Sequence, residues 1–275
     1  MGDLAEETAV WPVGEGSYRA RLSQAWEIWG PMGGYVAAVA LRAAGASSPF
    51  VRPASFFCHY LGVAAFDEVD IEVSVLRAAK TACSLRVSMT QGGRPILEGA
   101  VWAVGDVPGL EHDVAVPPDV PGQEALRSAA DLFPDPPPFG FWRNFTAKPV
   151  TFSEVWPPAG PMPPLWQQWC RFEPTATFAD PWVDAARSVI LIDVQSWPSA
   201  SRLHAWAEPP FIAPSLDLYV AFHRPEPTSA WLLADGYAPV AADGLIGWTG
   251  RLWSVGRRLV ASGGGPALCR RVNPG

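Results

Sequence analysis

Lysine is nearly absent from this 275-residue chain, which has only Lys80 and Lys148. Scattered arginines supply the other positive charges, and the net charge is −7. Nucleic-acid binding needs clustered cations to neutralise phosphates, so no nucleic-acid partner is expected. No apolar run approaches the roughly 18 residues of a membrane helix, so no membrane span is expected. Cysteine is scarce as well. Cys58, Cys83, Cys170 and Cys269 are far apart in apolar company and read as reduced core residues. His59, His112, His204 and His223 lie in unrelated contexts, and no metal site is expected. The chain lacks a P-loop, a Gly-x-Ser-x-Gly elbow, a His-Glu-x-x-His helix and a Cys-x-x-Cys pair. The glycine groups Gly92-Gly93 and Gly263-Gly264-Gly265 read as turns without a following helix, which leaves dinucleotide binding unsupported. The acidic opening Met1–Glu7 has no basic n-region, so a cytoplasmic location is expected.

What the chain does have is apolar content: 49% hydrophobic against 17% charged residues, enough for one large core or two ordinary ones. Its organising stretch is Trp29–Ala44. From Tyr35 to Ala44 only Arg42 is charged, and a helix with no polar face must be covered all round. Many alanines keep it thin enough for a sheet to wrap closely. Gly33 and Gly34 stand at its start, after Pro31, and Gly45 reads as its stop. Two readings of that start stay open. It is either a glycine turn before a structural helix, or a place where free N–H groups and the positive helix end meet a carbonyl or oxyanion.

An antiparallel meander follows. Ala54–Leu61 is mostly aromatic and nearly continuously apolar, and Val69–Val75 and Cys83–Met89 alternate. Gln91-Gly92-Gly93-Arg94 is a hairpin turn leading into Ile96–Val104. Residues 108–164 are rich in proline (117–118, 136–138, 157–158, 163–164) and read as a linker, with one short helix near Gln123–Ala130. Its aromatics, Phe133, Phe139, Phe141, Trp142 and Phe145, predict that it packs on the body. A second unit then repeats the first: a strand at Trp166–Phe172, a helix at Pro181–Val194 capped by Asp180, and strands from Ser215 onward. Pro53-Ala54-Ser55-Phe56-Phe57 aligns with Pro214-Ser215-Leu216-Asp217-Leu218 at an offset of 214 − 53 = 161. The expected architecture is α+β, with an N-terminal helix-plus-meander unit at 1–107, a linker at 108–164 and a second unit at 165–275.

Asp217 interrupts the apolar strand Pro214–Phe222, where its counterpart in the first unit is Phe56. A carboxylate in a core strand must be hydrogen-bonded, paired or put to use. The alternation of Leu216, Leu218 and Val220 leaves open that Asp217 faces away from the core.

These residues carry a resemblance. Trp29–Tyr35 opening an Ala-rich helix, Leu76-Arg77 with the Thr90–Arg94 hairpin, Pro214–Asp217 running to Phe222–Pro225, and Trp231-Leu232-Leu233 are together similar to the double-hotdog acyl-CoA thioesterases, the TesB-like type II group. The resemblance implies a tandem hotdog fold, each unit a long helix wrapped by a curved antiparallel sheet. It implies hydrolysis of an acyl-CoA substrate without a cofactor. In that group an Asp, a hydroxyl residue and a Gln hold the attacking water, and N–H groups at a helix start polarise the carbonyl. Carried onto this chain, Asp217 matches the Asp, while Gly33, Gly34 and Tyr35 are the oxyanion candidates. The hydroxyl position falls near Pro239-Val240 and the Gln position at about Gly265, so Asp243 and Ser262 are the nearby substitutes. Two other functions stay open. One is an acyl-thioester or apolar-ligand binder with little hydrolysis; the other is a related lyase or hydratase, which would need a further acid–base residue near the helix. The resemblance also implies a homo-oligomer, for which Trp166, Trp169, Trp206 and Trp231 are surface candidates unless they are core.

Overall fold

The computed structural model describes residues 1–133, 135, 139–152, 159–204 and 211–271. The proline clusters at 136–138 and 157–158, and Trp206, lie outside the described residues. The first half contains α1 (Leu4–Glu7), β1 (Trp11–Gly14), β2 (Ser17–Arg21), α2 (Gly33–Ser47), β3 (Arg52–Tyr60), β4 (Glu68–Ala78), β5 (Ala82–Gln91) and β6 (Arg94–Val104). Next come α3 (Ala129–Leu132) and β7 (Phe145–Pro149), both within the stretch expected to be linker. The remainder holds β8 (Leu165–Phe172), α4 (Pro181–Asp193), α5 (Ser196–Ser201), β9 (Phe211–Ile212), β10 (Asp217–Phe222), β11 (Leu232–Ala242), β12 (Leu245–Ser254), β13 (Leu259–Leu268) and β14 (Arg270–Arg271).

Twelve strands form one antiparallel sheet in the order β1-β2-β4-β5-β6-β3-β10-β13-β12-β11-β8-β7. The halves meet at β3 and β10, so each closes the sheet edge the other would leave exposed. Asp217 stands opposite His59 and Val220 opposite Phe56. The 161-residue offset read from sequence maps each of these pairs onto the other, as a twofold relation between the units requires. The fold is the expected α+β tandem of helix and wrapping sheet. Ten of the fifteen residues of α2 are buried, matching its lack of a polar face. No described helix is long and apolar enough to cross a membrane.

Two sequence expectations are corrected. Helix α2 does not stop at Gly45 but runs through it to Ser47. A Cβ on Gly45 would sit 2.5 Å from the Trp182 ring, so glycine there admits the start of α4 rather than ending α2. Gly45→Ala is accordingly expected to destabilise the protein by about 1–3 kcal/mol, read by urea denaturation. Gly263-Gly264-Gly265 is not a turn but the interior of β13. Cβ atoms at these positions would meet the carbonyl oxygens of Tyr219, Trp248 and Asp217 at 2.0, 2.3 and 2.5 Å. The strand passes too close to its neighbours to carry side chains. By contrast, Gly92-Gly93 is the expected two-residue hairpin turn, with φ of 55° and 76°.

The segment after β6 is tied to the body by its aromatics. Phe141 and Phe145 are buried edge-on to Trp26, which in turn stacks on Tyr35. Asn144 adds two anchors: its Oδ1 accepts from the Gly2 N–H and its Nδ2 donates to the Ala25 carbonyl. The strand β7 that follows pairs with β8 and extends the sheet. Trp166 and Trp169 are buried, which makes them core residues, and Trp231 is half-buried.

Candidate active site

Helices α2 and α4 run antiparallel, the start of each against the end of the other. At one end Trp182 lies over Gly45. At the other, a Cβ on Gly34 would meet the Ile190 Cα at 3.0 Å and the Asp193 Cβ at 2.9 Å. Glycine at 34 therefore lets two backbones touch. That contact delivers the last residue of α4, Asp193, to the first turn of α2. Its Oδ2 accepts the Gly34 N–H at 2.7 Å, and its Oδ1 accepts the Ser215 hydroxyl at 2.8 Å.

This carboxylate is buried, and burial raises its pKa from 3.8 to about 6. The Ser215 hydroxyl, the Gly34 N–H and the neighbouring Tyr60 phenol pull it back toward ionisation. Two helix ends act on it in opposition. An acid at the C-terminus of its own helix is disfavoured, whereas the N-terminus of α2 favours its charge. Asp193 is thus ionised at neutral pH yet close enough to its pKa to accept a proton, as a general base requires.

Asp193 lines a cavity of about 740 Å³ and is its one charged lining residue among those described. Trp29, Val36, Ile96, Trp142, Trp197 and Phe211 supply apolar walls, while Gly33, Tyr60 and Ser215 surround the carboxylate. The cavity joins both units: β3 and α2 come from one, α4 and the Phe211–Ser215 segment from the other. Such a site can hold an apolar chain with a polar carbonyl presented to an acid and a helix start.

A family model of the acyl-CoA thioesterase N-terminal domain matches residues 22–104, and one of the C-terminal domain matches 116–263. The chain belongs to the acyl-CoA thioesterase family. The C-terminal match begins inside the stretch read as linker. Among solved structures, the chain is similar to a thioesterase II candidate from Thermobifida fusca YX at 24% identity, with 98% of each chain covered and a TM-score of 0.82. It is also similar to acyl-CoA thioesterase II TesB2 from Mycobacterium marinum at 22% identity, covering 98% of this chain and 99% of that one, with a TM-score of 0.76. A hot dog fold protein of unknown function from Alicyclobacillus acidocaldarius matches at 20% identity, 98% of each chain and a TM-score of 0.80. These likenesses establish the hotdog fold. Among curated proteins none matches the sequence.

For this thioesterase-family chain, the residues expected from sequence are only partly brought together. Gly33 lines the cavity and Gly34 holds Asp193. The Tyr35 N–H donates to the Met32 carbonyl at 3.0 Å, and its side chain turns the other way: its hydroxyl donates to the Glu7 carbonyl and accepts the Ser23 N–H. Asp217 is half-buried on β10 and does not line the cavity. Leu218 and Val220 take the inward face of that strand, which leaves Asp217 and the exposed Tyr219 on the other. Its Oδ1 lies 2.9 Å from where a Gly265 Cβ would stand, so position 265 does adjoin Asp217. Asp243 is exposed in the two-residue turn between β11 and β12, at φ 51°. The Ser262 hydroxyl bonds His223 Nε2 at 2.8 Å. The carboxylate that meets the glycine-led helix start is Asp193, with Ser215 as its hydroxyl partner. Sequence reasoning missed both, although one signal was there. Asp193 closes the apolar run Val189-Ile190-Leu191-Ile192 at the helix end where an acid is least favoured.

Proposed function

We propose that the protein hydrolyses acyl thioesters in the cavity between its two units, with Asp193 as general base. The single observation behind this reading is a buried carboxylate, its pKa raised to about 6, on the wall of an apolar cavity at the start of α2. The acyl chain occupies the apolar walls and its thioester carbonyl faces the Gly33–Gly34 turn. Water lies between Asp193 and the carbonyl carbon. As its oxygen bonds to that carbon, Asp193 takes its proton and the carbonyl becomes an oxyanion beside the helix start. The tetrahedral intermediate then collapses, the C–S bond breaks, and the proton on Asp193 passes to the departing sulfur. Acid and thiol leave, and the carboxylate is restored. Ser215 keeps Asp193 in the orientation that receives the proton. Acyl-CoA is the substrate class the family suggests, and the steps require water and the chain's own groups.

Turnover of acyl-CoAs from short to long chain, followed with a thiol reagent, tests the proposal. Asp217→Asn is expected to keep its rate within about 3-fold, because Asp217 lies outside the cavity. A loss of about 100-fold or more there, with Asp193→Asn active, would return the catalytic role to Asp217. Saturable binding of acyl-CoA with no turnover by the wild-type protein would make it a binder.

A further inference from the structure

On the N-terminal side of Ser215 the cavity wall is strand β9, whose Phe211 and Ile212 both line it. Antiparallel pairing fixes what lies alongside. Ser215 pairs with Ala267, Ile212 with Arg270 and Phe211 with Arg271, so one register runs from the hydroxyl partner of Asp193 to two arginines. Between these pairs the Leu268 N–H donates to the Pro214 carbonyl at 2.9 Å and holds the segments together. The Arg271 guanidinium lies over the Phe211 ring, 5.7 Å from its centroid. Of the cation–ring contacts among the described residues, it is the one whose ring lines the cavity. Arg270 and Arg271 are both exposed, and neither has a carboxylate partner among the described residues.

We propose that Arg271 is a phosphate-binding residue at the rim of the cavity, and that its ligand is the phosphate end of coenzyme A. This rests on the cavity holding an acyl thioester. Inside, the one charged lining group among the described residues is the carboxylate of Asp193, which repels a phosphate. The anionic end of the ligand therefore stays at the rim, where Arg271 stands. Stacking on Phe211 fixes the guanidinium plane and leaves its N–H edge free, and that edge takes phosphate oxygens in pairs. Phe211 is four residues from Ser215, a span of at most about 14 Å along the chain. An extended pantetheine arm covers it, with the sulfur near Asp193 and the phosphates at Arg271. Arg270 takes the opposite face of the strand by alternation. Phosphopantetheine carried on a protein offers the same phosphate chemistry, and the test separates the two sources.

An S-alkyl coenzyme A, a thioether that is not hydrolysed, and the matching S-alkyl pantetheine are titrated calorimetrically. Arg271→Gln is expected to weaken the coenzyme A thioether about 10-fold and the pantetheine thioether by less than about 2-fold. Arg271→Lys keeps the charge without the fork and should recover part of the loss. Raising the salt concentration should shrink the difference between wild type and Arg271→Gln. Arg270→Gln removes the same charge one residue away and should cost less than about 3-fold. Four results would each overturn the proposal. Equal losses in the two glutamine variants would show a general field effect. Equal losses for the two ligands would mean that Arg271 only shapes the wall. The others are no binding of the coenzyme A thioether by wild type, and a dependence on Arg271 confined to the same S-alkyl phosphopantetheine on a carrier protein. Acyl-CoA turnover is followed alongside. Thioether binding that depends on Arg271 without turnover would remove the hydrolase reading and leave this one. Turnover with binding indifferent to Arg271 would remove this one alone.

Discussion

Asp193→Asn is expected to lower thioester turnover by about 1,000-fold and, at neutral pH, to make the protein more stable. The rate loss follows from removing the group that takes the water's proton, a contribution of typically 10²–10⁴. The stability gain follows from linkage. The native pKa of about 6 lies above the ordinary 3.8, so between those values the folded protein binds more protons than the unfolded chain. Stability therefore falls as pH rises from about 4 to about 6, and the loss is complete above that window. Two pKa units correspond to about 3 kcal/mol. Asparagine does not ionise and can still accept the Gly34 N–H, while its amide can donate to the Ser215 hydroxyl. Part of that energy, about 1–2 kcal/mol at pH 8, should return. Urea denaturation from pH 4 to pH 8 measures it: wild type and variant should converge at the acid end and separate as pH rises. A constant gap would mean that Asp193 does not titrate in this window. In the same series, wild-type activity should lose half its value near pH 6 on acidification.

Gly34→Ala is the substitution expected to cost the fold most. The added methyl would stand 3.0 Å from the Ile190 Cα and 2.9 Å from the Asp193 Cβ, so the obstacle is largely the backbone of α4 itself. Neither helix can rotate a side chain out of the way. α2 and α4 must separate, which is expected to cost about 3 kcal/mol despite alanine's better helix propensity. Separation also draws the Gly34 N–H away from Asp193, so activity should fall with stability. Gly109→Ala, whose Cβ meets nothing within 4 Å, is the control and should change neither. Chemical denaturation and acyl-CoA turnover on the three proteins decide it. An unchanged midpoint for Gly34→Ala would show that the two helices do not touch here in solution.

Much of the architecture was legible because it is written in local periodicity. The all-apolar α2, the Asp180–Pro181 start of α4, and the Gly92-Gly93 hairpin each follow from residues within one element. The repeat offset of 161 was legible too, and the β3–β10 register reproduces it. Glycines were the weaker guide. Gly45 reads as a helix stop and Gly263–Gly265 as a turn, yet each is glycine because another part of the chain passes within contact distance. From sequence, a glycine required for close approach looks the same as one required for φ.

The amino-acid order by itself determined two helix-plus-meander units, and that the first must bury a helix with no polar face. Burial pattern and turn chemistry act over a few residues and need no knowledge of the partner. Which acid would sit at the start of α2 was decided only by tertiary structure. The Gly34–Asp193 bond joins residues 159 positions apart, through the antiparallel crossing of two helices from different units. Asp217 and Asp193 are both carboxylates in apolar segments. Strand alternation turned one away from the cavity, and helix packing carried the other into it.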